Sequence, residues 1–108
     1  NMSGPLFVGS AAKAMKGLTS ITPEVRVVVL DMSRVTMVDM SAIVAMESIV
    51  YNLSANHVGL VINNLQPRMI LKLRRAGVLA GTDKIIFSRT IDEALAKSRQ
   101  MLQSSTAA

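Results

Sequence analysis

A chain of 108 residues suits one domain of ordinary size, and with half its residues hydrophobic but only 3% aromatic, its interior is built from Val, Ile, Leu, Ala and eight Met rather than from rings. The lack of cysteine excludes disulfides, thiolate metal sites and cysteine nucleophiles together and fits a reducing compartment, while every apolar run is broken by charge short of the about 20 residues that a membrane-spanning helix needs. Twelve Lys and Arg against seven Asp and Glu leave a net charge of +5, which favours an anionic partner; nucleic acid is the weakest choice, because Phe7, Tyr51 and Phe87 are too few and scattered to make a stacking platform.

In chain order, residues 1–3 read as lying outside the domain, with no secretory leader pattern. "PLFV" (5–8) reads as a short strand, followed by a helical pattern over 10–18. "VRVVVL" (25–30) is a β-branched strand whose near-continuous apolar run suits a central position. A turn with Asp39 at its tip leads to a helix over 40–54. "VGLVIN" (58–63) is the third strand, and the next helix, 67–76, opens on Pro67 and closes before Gly77, a residue suited to a left-handed cap. "KIIF" (84–87) is the fourth strand. Thr90 with Glu93 forms a capping box that starts a last helix over 91–102, and residues 104–108 read as a patternless, flexible tail. This alternation predicts a single α/β domain over residues 4–103, with a mostly parallel sheet of about four or five strands backed by four helices.

Ligand-binding groups of parallel α/β sheets gather where strands end and helices begin. Asp39, Met40 and Ser41 occupy such a tip. Asp39 or Ser41 there caps the helix, and the same unpaired amides accept an anion. At about 100° per residue, the helix over 40–54 places Ala42, Ile43, Ala45, Met46, Ile49, Val50 and Leu53 on one broad face. Met40, Val44 and Tyr51 lie opposite, with Glu47 and Ser48 among them. That second apolar stripe marks a partner-facing surface, against the bland reading of scattered exposed side chains. On the helix over 67–76, Met69, Ile70, Leu73 and Ala76 share the inner arc. Arg68, Lys72 and Arg75 surround an outward Leu71, a basic surface for an acidic partner or lipid headgroups.

Material for catalysis is thin. His57, the single histidine, falls in the turn "SANHVG"; Asp31 and Asp39 are separated by a turn; no Gly-rich phosphate loop, metal-ligand spacing or Ser-His-Asp order is present. The expectation is a protein that is not an enzyme and has no cofactor and no metal.

"VVVLDMSRVTMVDMSAI" resembles the central signature of STAS domains, the module shared by sulfate transporters and anti-sigma factor antagonists, in which a strand leads to an Asp-Ser-Ser-Gly or Asp-Ser-Thr-Gly tip before a helix. "GPLFVGSAAK" is similar to the opening of STAS domains in SulP sulfate permeases, and "LVINNLQPRMILKLRRAGV" to the strand, Pro-started helix and Arg-Ala-Gly ending of that branch. The family pattern has a further strand before the Pro-Leu-Phe opening. The likeness runs from Gly4 to about Leu102. It implies a cytoplasmic regulatory and interaction domain of a bacterial SulP-type anion transporter, at the inner face of the plasma membrane. Its implied partners are the transporter's own transmembrane domain, a second STAS domain in a homodimer, or an acidic cytosolic regulator. The alternative is a stand-alone anti-sigma factor antagonist that switches by phosphorylation. In those proteins the serine directly after the signature aspartate takes the phosphate, and here that position is Met40, so Ser41 would have to serve instead.

Overall fold

Two short uncharged runs decide the architecture. "VVVL" and "GLVI" do not alternate apolar with polar residues, so neither face of the strands they form can be left to water. The computed structural model describes residues 5–10, 24–34, 40–79 and 85–107, and it sets these two runs side by side in the middle of a sheet. Strands β1 (Leu6–Ser10), β2 (Val27–Asp31), β3 (Gly59–Asn63) and β4 (Ile85–Ser88) lie in the order β1-β2-β3-β4, every neighbouring pair parallel. Parallel neighbours need crossovers. Helix α1 (Met40–Ala55) stands between β2 and β3, and α2 (Pro67–Arg75) between β3 and β4, while α3 (Ile91–Ala107) comes after the last strand.

The two faces divide the helices. Phe7, Val28, Leu30, Leu60 and Ile62 join Met46, Ile49, Val50 and Leu53 of α1 and Met69 and Leu73 of α2 in the larger core. Val27, Val29 and Val61 point the other way, where Ala94, Met101 and Leu102 of α3 close over them. A Cβ at Gly59 would lie 2.5 Å from Met101 Cε, so the flexible tip of Met101 on α3 fills the space that the bare α-carbon leaves over β3. Thr90 opens α3 by accepting the Glu93 amide at 3.1 Å. The Glu93 carboxylate returns to the Arg89 amide at 2.7 Å, one residue upstream of the amide a capping box ordinarily serves.

Several boundaries differ from the sequence pattern. β1 runs through Ser10, which the pattern assigns to a helix, and the rest of that helix, 11–18, lies outside the described residues. Among the described residues there are four strands and three helices. α3 continues past Leu102 to Ala107, because each residue added to an existing helix gains a backbone hydrogen bond without needing an apolar partner.

α1 and α2 end in the same way. In α1, Val58 N–H donates to Leu53 O at 2.8 Å and His57 N–H to Ser54 O at 3.1 Å; in α2, Val78 N–H donates to Leu73 O and Gly77 N–H to Arg74 O, both at 3.1 Å. Both are Schellman turns, each with a buried Leu and a buried Val as the accompanying apolar pair. The left-handed position is Gly77 (φ 80°) in one and His57 (φ 59°) in the other. The histidine therefore holds a strained backbone position. Replacing His57 by Gly should stabilise the domain by about 0.5–1 kcal/mol, the relief of left-handed strain less the added freedom of the unfolded chain. Gly77→Ala should cost about 1 kcal/mol; urea unfolding of the two variants checks both signs.

Candidate functional site

The opening of α1 and the carboxyl ends of the strands share one end of the sheet, because a crossover helix begins where its strand stops. Asp39, the expected tip residue, lies outside the described residues. Met40 and Ser41 form the first exposed residues of α1. From them the helix presents two faces. Met46, Ile49, Val50 and Leu53 are buried, with Ala42, Ile43 and Ala45 partly so. On the far side Met40, Val44 and Tyr51 are 71%, 58% and 73% exposed, with Glu47 and Ser48 also exposed between them. Among the described residues, none seals this stripe. An uncovered methionine, valine and tyrosine in line along one helix are chemically suited to an apolar, weakly polar contact with a second surface.

Behind this end of the sheet lies a polar row that sequence patterning misses. Ser10, Asp31, Asn63 and Ser88 are register partners across all four strands. Ser88 Oγ donates to Asn63 Oδ1 at 2.8 Å, both residues being buried. Asn63 Nδ2 reaches Asp31 Oδ1 at a long 3.5 Å. Ser33 donates to the same carboxylate oxygen through its hydroxyl and, at 3.1 Å, through its amide. Asn64, in the left-handed region at φ 61°, donates from Nδ2 to Ser33 Oγ at 3.2 Å. The Ser33 hydroxyl, then the Ser33 amide, Asn63 and the nearby Arg34 charge hold the Asp31 carboxyl below the usual carboxylate range, against an opposing effect of burial. Asp31 is thus an ionised acceptor engaged by its neighbours. The legible signals for this row were the paired asparagines after "LVI" and the serine after "IIF": polar residues placed where apolar strands stop.

The remaining expected residues are not drawn into that network. His57 is an exposed turn residue at the far end of α1. Arg68, Leu71, Lys72 and Arg75 are all exposed on α2, and Arg74, which the sequence pattern does not single out, is exposed beside them. Of the three aromatic rings, Phe7 is buried and Phe87 partly so, leaving Tyr51 as the exposed one. Among the described residues no three His, Asp or Glu side chains gather as a metal-ligand set, and no helix is long and apolar enough to cross a membrane.

Comparison with known proteins places this geometry. A family model described as STAS domain matches residues 1–94. The crystal structure of a sulfate transporter family protein from Wolinella succinogenes matches with a TM-score of 0.73 at 20% identity, covering 92% of this chain and 88% of that one. The SulP transporter STAS domain from Vibrio cholerae matches with a TM-score of 0.73 at 17% identity, covering 96% of this chain and 88% of that one. At these identities the likeness to the two structures is one of fold. No curated protein matches the chain.

Two outcomes test the polar row. A carboxyl whose folded pKa is depressed stabilises the fold above its unfolded value, near 3.9, and that contribution is lost as pH falls through the folded value. Unfolding followed between neutral pH and about pH 3 should therefore show an acid-side loss of stability that Asp31→Asn reduces, with the variant less stable at neutral pH. Asn63→Leu should cost about 1–3 kcal/mol, since it leaves the buried Ser88 hydroxyl without its acceptor. Adding Ser88→Ala to Asn63→Leu should recover part of that loss, measured as a double-mutant cycle in urea.

Proposed function

Because the chain belongs to the STAS domain family, we propose that it is a non-catalytic regulatory and interaction domain of a SulP-type anion transporter, held at the cytoplasmic face of the plasma membrane. Anion permeation belongs to the membrane-embedded part, and this domain modulates it by contact. The observation that carries this reading is the uncovered stripe of Met40, Val44 and Tyr51 on α1. Its support from relatives is the shared fold with a solved sulfate transporter family protein and a solved SulP transporter STAS domain.

The occupant of the stripe is the membrane-embedded part of the same transporter. A second copy of the domain is disfavoured by charge, since each carries +5 and like-charged bodies repel. An acidic regulator would be steered to the cations of α2, not to a stripe whose charged member is Glu47. Met40 and Ser41 bring the start of α1 to the same contact, and Asp39 precedes them in the sequence. Ser41 opens the helix as a surface hydroxyl, and Met40, directly after Asp39, extends the apolar surface where a phosphate-accepting serine stands in the antagonist proteins.

In the full-length transporter carrying this domain, Met40→Asp combined with Tyr51→Ser should lower transport by about tenfold, the scale of losing interface anchors. The unfolding midpoint of the domain itself should hold, because both side chains are exposed and an acid is well placed at a helix start. Unchanged transport would remove the reading. A dimer of the isolated domain that dissociates in the same variant would assign the stripe to a second copy. Phosphate on Ser41 after incubation with an anti-sigma factor kinase and ATP, read by mass spectrometry of the tip peptide, would instead favour the stand-alone switch.

A further inference from the structure

The outer face of α2 is built for something other than folding. The helix carries Arg68, Lys72, Arg74 and Arg75 and no acid in its nine residues. At about 100° per residue, the buried Met69 and Leu73 mark the inner side and Leu71 stands nearly opposite. Arg75, Arg68 and Lys72 fan out on one flank of Leu71 and Arg74 on the other, all of them exposed. The last-turn cations have an internal explanation, since positive charge near a helix C-terminus is favourable. Arg68 does not. It sits in the first turn, where the helix dipole opposes a cation, and no acid stands there with it. Leu71, 43% exposed, leaves a large part of its side chain uncovered by the domain. An unfavourable cation and a partly uncovered leucine on one outward face point to a partner.

We infer that this face of α2 rests on an anionic lipid surface, with Leu71 entering the headgroup layer and the four cations meeting lipid phosphates. The nearness of a bilayer rests on the transporter reading; the chemistry rests on α2 alone. Charge complementarity calls for an anionic surface, and the shape of the patch favours lipid over an acidic protein. Protein interfaces also use arginine, but around aromatic anchors seated in pockets, whereas α2 has no ring and spreads four long, flexible cations around a single aliphatic tip. Such stems lie along an interface while their heads reach the phosphates. The exposed aromatic ring belongs to α1, so the two helices divide the work: α1 for an apolar protein contact, α2 for the membrane.

The test is co-sedimentation of the purified chain with phosphatidylcholine vesicles with and without phosphatidylglycerol at about a third of the lipid. Partition onto the anionic vesicles alone is expected, weakening steeply between about 0.05 M and 0.3 M salt. Arg68→Gln with Arg75→Gln should weaken partition roughly 30-fold, and Leu71→Ser should weaken it further at fixed charge. Tyr51→Ser should leave it unchanged, so that failure here and failure of the α1 contact are separate results. Equal partition onto neutral vesicles, or insensitivity to the arginine changes, overturns the proposal. Capture by polyglutamate without capture by anionic vesicles also overturns it and assigns the face to an acidic protein.

Discussion

Burial of β2 and β3 on both faces is the constraint on which the rest of the domain depends. A strand apolar throughout cannot sit at a solvated surface, so it needs a helix on each side. Parallel pairing supplies those helices through the crossovers themselves. α1 and α2 take one face because each links neighbouring strands, and α3 must then double back to cover Val27, Val29 and Val61 on the other. With so few rings available, closure depends on aliphatic side chains and methionines fitting closely, as where the tip of Met101 fills the side-chain space beside Gly59.

The division of surface on α1 and α2 comes from the same arithmetic. A two-layer cover over a four-stranded sheet needs only one face of each helix. The residues on the other face are then not dictated by the core. On α1 that freedom is spent on methionine, valine and tyrosine, and on α2 on cations around a leucine. Membership of the STAS family gives these choices a setting, and the physical content of each surface says which kind of contact it suits.

Much of this was legible in the sequence. The four strands, the order of elements and the buried arc of α1 follow from β-branched runs and helical spacing, and Pro67, Gly77 and the Thr90 to Glu93 pair mark helix ends through chemistry that acts within a few residues. The shortfalls have physical causes. Ser10 has no helix-breaking character, so a pattern cannot tell the end of β1 from the start of the next segment. The residues after Leu102 lack apolar periodicity, yet the helix propagates through them. His57 does the work of a glycine, and residue type alone does not reveal a left-handed backbone. The row through Asp31, Asn63 and Ser88 was invisible because its partners are more than 20 residues apart in the chain and meet only once the strands are in register.

That row has a consequence for how the strands find one another. In a sheet exposed on one side, sliding a strand by one position turns its greasy side chains into water, and the error corrects itself. β2 and β3 lack this safeguard, for a displaced valine would simply meet the opposite helix layer. Asn63 restores it on two sides, donating to Asp31 of β2 and accepting from Ser88 of β4. A shift of β3 against either neighbour would part its amide from a mate, so one asparagine at the sheet's end acts as the alignment mark for strands that hydrophobicity alone would leave free to slip.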